Sequence, residues 1–342
     1  MKHDIERYVG ALEEAATAGD EYTAIDTARA ALDAGVPAET VLLDVVAAAQ
    51  ARIGQDWAAN RLTVAQEHTA TAVNERVLTV VAHHPVARDH RSEPSKGRIT
   101  VACVAGEWHT FPARLLTEVL RLRGWRVDYL GAHVPTAHLI VHLHRTAPDV
   151  VGLSNSIATR LPAAHAAIIA CQAAGTPVLA GGAAFGPDGR YAQLLGADAW
   201  APDARTAADL LDGPLPHRPT SGLSAGGPAH LAGHEYSQLT ARAPDLVRSV
   251  MEELGRHIPE GQPGHTAEDV AYIVDFLRTA AYVDDPDLFT TFIGWMAQLL
   301  RSRGVPERVL AAALDAMDAH LTDLPQARAT LTRTRATLRP PG

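Results

Sequence analysis

The chain of 342 residues is poor in the features that mark several protein classes. It has two cysteines, Cys103 and Cys171, one in a predicted strand and one in a predicted helix. That pattern offers no disulfide framework and reads as free thiols in a reducing cytosol. No apolar run approaches about twenty residues, and the opening Met1-Lys2-His3-Asp4-Ile5-Glu6 lacks the apolar centre of a signal peptide. A soluble, cytoplasmic protein with no membrane partner is expected. No run of Lys or Arg stands out and the formal net charge is -9, which argues against direct nucleic-acid binding. A phosphate-cradling glycine loop, a zinc pair and a nucleophile elbow are all missing, so the expectation is a protein that is not an enzyme.

An apolar fraction of 47% over this length is ample for two or three cored domains. Residues 4–85 carry helical periodicity in Ile5, Tyr8, Val9, Leu12 and Ala16, then Tyr22, Ile25, Ala28 and Leu32, then Val41, Leu42, Val45, Val46 and Ala49. A fourth helix starts at Thr63, where Thr63-x-x-Gln66 has the form of a capping box. Four amphipathic helices with short connections predict a four-helix bundle over 1–85. Residues 86–97 read as a surface linker.

From Ile99 to Leu211 apolar strand runs alternate with helical patterns, at Ile99 to Val104, Arg126 to Leu130, Val150 to Ser154, Val178 to Ala180 and Asp198 to Ala201. Alternation of this kind predicts a parallel sheet covered on both faces over residues 97–212. Five strands suit the flavodoxin-like (Rossmann-type) order, with its switch point between the first and third strands. Residues 213–229, rich in Gly, Pro and Ser, read as a second linker. The rest, 230–342, is an all-α domain by pattern, with a stripe of Val270, Ile273, Val274 and Leu277 and a wider one of Leu288, Phe289, Phe292, Trp295, Met296, Leu299 and Leu300. The fold class is therefore multidomain, α and α/β.

Gly106-Glu107-Trp108-His109-Thr110-Phe111-Pro112 follows the first strand and precedes a helix, so its acid and imidazole sit where open α/β sheets gather ligands. A metal is the simplest candidate. An acid-x-His loop here, Ser154-Asn155-Ser156 after the third strand and Gly181-Gly182 after the fourth together resemble the cobalamin-binding module. The resemblance implies cobalamin as cofactor, with His109 as lower axial ligand of cobalt and Glu107 as the acceptor that orients it. It also implies that Ser154, Ser156, Gly181 and Gly182 line a slot for the displaced nucleotide tail, with Trp108 in the same binding loop. Pro112 stands where that family usually has glycine, a change that removes no ligand.

In the bundle, Trp57 ends the third helix and Glu67-His68 opens the fourth, at one end of the bundle. Trp57, nine intervening residues and Glu67-His68 resemble the signature of adenosylcobalamin light sensors of the CarH type. This implies that Trp57, Glu67 and His68 cover the adenosyl group on the upper face. Ala58 stands where some such sensors carry a histidine that takes cobalt's upper position after light, which leaves that place to another group, such as His68, or to water. With an all-α extension containing Tyr272-Ile273-Val274-Asp275-Phe276-Leu277 and Asp285-Pro286-Asp287-Leu288-Phe289, the whole resembles the photocobilins. That family holds biliverdin in the extension, and the chain has no cysteine after Cys171, so any bilin there is non-covalent. His230, His234, His257, His265, Tyr272 and Arg278 are the candidate polar contacts, and the residues sandwiching the bilin are expected from the Leu288 to Leu300 stripe.

The reading is a photoreceptor in which light breaks the cobalt–carbon bond and changes a homo-oligomer, with a separate output protein. A corrinoid methyl carrier, its C-terminal bundle serving oligomerisation, is the alternative. A cobalamin mutase would need a large barrel around the substrate radical, and the chain has no such segment.

Overall fold

The computed structural model describes residues 2–89, 96–213, 234–257 and 267–338. The expected linker 213–229 beyond Gly213 lies outside these residues, as do His230 and His265 and the side chain of His257. Contacts within the chain group it into two units, residues 1–220 and 221–342.

The first unit begins with α1 (Lys2–Ala18) and α2 (Glu21–Asp33). Asp20 starts α2 by accepting the Thr23 N–H at 3.1 Å. Pro37 opens the next helix, α3 (Ala38–Thr40), which runs through a π-helical stretch, Val41–Val46, into α4 (Ala47–Ala58). The wider π turn buries Val41, Leu42, Val45 and Val46 against the bundle. Helix α5 (Val64–His83) carries the expected capping box. Gln66 N–H donates to Thr63 Oγ1 (3.2 Å), and Thr63 N–H donates to Gln66 Oε1 (3.0 Å).

Leu12, Ala16, Ala28, Leu32, Leu42, Ile53, Leu78 and Val81 fill the core, each large side chain contributing about 1.5–3 kcal/mol by burial. Tyr22, a member of the apolar pattern, instead lies 84% exposed. Part of the expected linker 86–97 is also ordered differently: Pro85–Asp89 forms a short helix, α6. Proline is well suited to the first helical position, where its missing N–H costs nothing.

The sheet comprises β1 (Arg98–Cys103), β2 (Arg126–Gly131), β3 (Val150–Ser154), β4 (Val178–Gly181) and β5 (Ala199–Ala201). All pairs are parallel, in the order β2-β1-β3-β4-β5. This is the flavodoxin-like order, with the switch point between β1 and β3. The crossovers are α7 (Phe111–Leu122), α8 (Thr136–Thr146), α9 (Leu161–Ala173) and α10 (Arg190–Leu194), and α11 (Ala204–Leu210) follows β5. Pro112 falls in the first turn of α7, so the loop before it closes without strain from that residue.

The bundle packs on α7 and α11. Arg123 on α7 forks onto Glu39 (3.0 and 2.7 Å), and Arg205 on α11 donates to both carboxylate oxygens of Asp44 (2.8 Å each). On the α5 side, Thr110 donates to Glu75 (3.0 Å) and Arg114 to Thr79 (3.0 Å). These bonds put α5 next to the loop that carries His109.

In the second unit, the described helices are α12 (His234–His257), α13 (Ala267–Val283), α14 (Pro286–Ser302), α15 (Glu307–His320) and α16 (Pro325–Leu338). Glu235 accepts the Gln326 and Ala327 N–H groups at the start of α16 (2.9 and 2.8 Å), a favourable place for a carboxylate. Leu246, Val250, Ile273, Leu277, Phe289, Ile293, Leu310 and Leu314 form its core.

Candidate functional site

The centre of the site is a carboxylate that the chain buries after β1. Glu107 is 1% exposed and accepts from two directions. Its Oε1 takes the His109 N–H (2.8 Å) and the His109 ring Nδ1 (2.6 Å); its Oε2 takes the Ser156 and Ile157 N–H groups (2.7 and 3.1 Å) from the loop after β3. With its amide turned to suit its neighbours, Asn155 adds a fifth donor at 3.3 Å. Burial alone would push Glu107 up, but these hydrogen bonds and the His109 charge outweigh it and hold the carboxyl down at about 2. One ionised group thus ties the β1 loop to the β3 loop across the switch point.

The consequence for His109 is a fixed tautomer. With Nδ1–H donating to Glu107, Nε2 is the free nitrogen, and the side chain keeps 60% of its surface open. The hydrogen bond that His109 donates to Glu107 raises the imidazole above its ordinary 6.5 against the opposing effect of burial, with the charges of Glu107 and of Glu67 adding to the rise. Among the described residues no three His, Cys, Asp or Glu side chains cluster as a metal cage. A single open imidazole suits a metal whose other ligands come from a macrocycle.

Beside this loop lies a cleft of about 80 Å³ lined by Pro112, Leu116, Ser154, Gly181, Gly182, Asp203 and their neighbours. Gly182 has φ 105, and a Cβ there would stand 2.3 Å from the Asn155 carbonyl oxygen. Only glycine lets this backbone close the cleft wall. Ser154, Gly181 and Gly182 therefore meet as the sequence pattern implied. Ser156 is not part of the cleft lining; its recorded contact is the N–H given to Glu107.

At the bundle end, Glu67 carries a polar chain. Its Oε2 meets His68 Nδ1 at 2.6 Å, and Thr71 donates to its Oε1 at 2.8 Å. Gln50 donates to Thr71 (2.7 Å) and buried Asn74 to Gln50 (2.8 Å). His68 is 75% exposed, Glu67 22%, and Trp57 is half-buried at the end of α4.

Two features carried no sequence signal. His133, in the loop after β2, stacks on Trp108 with ring centroids 5.1 Å apart and planes 4° apart. Cys103 sits next to the site, yet burial and the Glu107 charge push its thiol up to about 12, so it is inert at neutral pH.

In the second unit the Leu288 to Leu300 stripe is largely spent on the core: Leu288, Phe289, Phe292, Met296 and Leu300 are buried. The open aromatics form a row beside it. Phe276 stacks on Phe292 at 3.6 Å, Phe292 lies 6.1 Å from Trp295, and Tyr272 and Trp295 are exposed. Arg278 on α13 pairs with Asp275 at 3.1 Å. A groove between α12 and α15 is lined by Glu252, Glu253, Asp315 and His320; its acid repels anionic ligands.

A family model described as a B12 binding domain matches residues 97–211, and a second B12 binding domain model matches residues 9–82. Two curated proteins of Myxococcus xanthus are similar. The HTH-type transcriptional repressor CarA is 34% identical over 182 residues, 51% of this chain and 55% of that protein. The HTH-type transcriptional repressor CarH is 35% identical over 130 residues, 37% of this chain and 40% of that protein. The chain spans about half the length of the curated relatives it matches.

A monomethylamine corrinoid protein of Methanosarcina barkeri shares the fold, with a TM-score of 0.52 and 17% identity over 60% of this chain and 97% of that one. Two B12 binding domain models thus match successive parts of the first unit, and the chain is similar to CarA and CarH. Since both relatives are named as repressors of transcription, the expectation of no direct nucleic-acid binding has no support. No helix among the described residues is long and apolar enough to cross a membrane.

Proposed function

We propose that the protein is an adenosylcobalamin-dependent photoreceptor without catalysis of its own, in which light changes the association of its subunits. The observation that carries this reading is that α5, whose first turns bear Glu67 and His68, is tied to the His109 loop by the bond from Thr110 to Glu75 at 3.0 Å. A corrin between them would have an imidazole below and Trp57, Glu67 and His68 above. Bound adenosylcobalamin supplies a cobalt–carbon bond that visible light breaks.

The chain's own residues do the rest. Glu107 holds the Nδ1 proton of His109, so that Nε2 is presented to cobalt. Ser154, Gly181 and Gly182 hold the nucleotide tail in the cleft. Trp57 would cover the adenosyl group, and its half-buried ring would couple the presence of that group to α4 and α5. Through Thr110–Glu75 and Arg114–Thr79, a shift of α5 is transmitted to α7. Light-dependent homo-oligomerisation and an output partner are part of this proposal.

A corrinoid methyl carrier needs an open upper face, whereas Trp57 and the hydrogen-bonded Glu67–His68 pair would close this bundle end around a bulky adenosyl group. Competition between adenosylcobalamin and methylcobalamin for the apo-protein separates the two. The photoreceptor favours the adenosyl form; equal affinity returns the carrier reading.

Biliverdin is proposed as second chromophore of the all-α unit. The stacked Phe276 and Phe292, with Trp295 and the exposed Tyr272, suit a conjugated, mostly apolar ligand. The acidic α12–α15 groove does not. His234 is exposed at the start of α12 and has no recorded link to the row.

A further inference from the structure

We infer that His133 is a positioning residue that clamps the His109 loop in its ligand-presenting form. The inference rests on the proposed ligation of cobalt by His109 and adds a residue outside the acid-x-His loop. His133 reaches three consecutive residues of that loop. Its Nδ1 accepts the Gly106 N–H at 2.8 Å, its own N–H donates to the Glu107 carbonyl at 2.8 Å, and its ring lies parallel to the Trp108 indole at 5.1 Å.

Each contact constrains a different freedom. Gly106 is at φ 82, with the Arg160 side chain packed where a Cβ would be, so the loop turns on a residue with little stiffness of its own. The bond to Nδ1 pins that turn. The bond to the Glu107 carbonyl holds the backbone from which the buried carboxylate is aimed. The stack holds an indole that is otherwise 68% exposed. His133 does this from φ 46, a conformation that side chains other than glycine rarely adopt. The left-handed turn is what lets one residue present both its N–H and its ring to the same loop. Because Nδ1 is the acceptor, the ring proton of neutral His133 is on Nε2. The geometry of Glu107 and hence of His109 is thus fixed from β2 as well as from β3.

The test compares wild type with His133→Gly, His133→Asn and Trp108→Ala. Glycine keeps the left-handed backbone and removes the ring. Asparagine tolerates the same backbone and places Oδ1 where Nδ1 accepted, but cannot stack. Two readouts are used: electron paramagnetic resonance of the cob(II)alamin-loaded proteins labelled with nitrogen-15 histidine, and imidazole nitrogen NMR of the apo-proteins.

His133→Gly is expected to weaken cobalamin binding about five- to tenfold, the loss of roughly one hydrogen bond, with a reduced share of protein-histidine coupling to cobalt and an unchanged unfolding midpoint. His133→Asn should recover most of the coupling, and Trp108→Ala should lose part of it. Wild-type affinity and full coupling in His133→Gly would overturn the inference. If that variant does not fold, the apo-protein decides: His133 protonated on Nδ1, or Asn and wild-type loops that differ at Gly106, would overturn it. Failure of the underlying reading looks different, since wild type itself would then show no histidine coupling while the His133 tautomer stood.

Discussion

Replacing Glu107 by glutamine tests the centre of the site before any cofactor is added. The substitution keeps shape and volume but turns an acceptor-only group into one that offers an NH2 to donors. Either the His109 pair or the Ser156–Ile157 pair of N–H groups then faces another donor, in a place only 1% exposed. The depression of Glu107 from 4.5 to about 2 amounts to about 3 kcal/mol, in keeping with about 1–3 kcal/mol for each buried group left unsatisfied.

The sign follows from a lowered value in the folded state. The stabilisation is fully present above 4.5 and is lost as pH falls through about 2. Denaturant unfolding of apo wild type and Glu107→Gln should therefore differ by about 3 kcal/mol at neutral pH, with roughly half the gap gone near pH 3. Equal stability at neutral pH, or a gap that does not shrink in acid, would refute the argument that the carboxylate's charge joins the two loops.

His109→Ala should still fold, less stable by roughly 1.5–3 kcal/mol for the lost ring bond to buried Glu107, and show no nitrogen coupling to cobalt from the protein. In wild type the same coupling should weaken on acidification through the raised His109 value, because below it a proton competes for Nε2; a spectral titration of the cobalamin-loaded protein reads this. Trp57→Ala should cut the preference for adenosylcobalamin over methylcobalamin about tenfold, measured by competition; an unchanged preference leaves Trp57 as packing only. Biliverdin added to the full chain should give a red band lost on denaturation and extraction. A chain ending at Thr220, the boundary between the two units, should lose the band and keep cobalamin. A band retained by the short chain would move the bilin out of the all-α unit.

Much of this was legible in the sequence because strong physical constraints write themselves into pattern. Parallel strands buried on both faces are short apolar runs, so all five were placed within a residue or two, and alternation with helices left few strand orders. Thr63 and Gln66 announced their cap through chemistry local to one turn. The acid-x-His loop and Gly181-Gly182 were readable because a buried carboxylate–imidazole pair and a tight wall each demand particular residues. His133 was not, since its role depends on a left-handed turn that brings β2's loop under Trp108, and no spacing encodes that. The resemblance puts Ser156 in the slot for its place after the third strand; the bond the structure shows comes from its backbone N–H, which any residue but proline could supply. The Leu288 to Leu300 stripe shows the limit of periodicity: it marks the buried face of α14 and does not say whether a core or a ligand covers it.

Breaking the cobalt–carbon bond is proposed to change how the subunits associate. Free adenosylcobalamin also loses its adenosyl group in light, so a colour change alone decides little. The direct measurement is the molar mass in solution of the adenosylcobalamin-loaded protein, by light scattering on a sizing column, in the dark and after green light, with methylcobalamin-loaded protein alongside. A light-dependent change of mass in the adenosyl form, absent in Trp57→Ala, is the expected result. Complete photolysis with the mass unchanged would contradict the account.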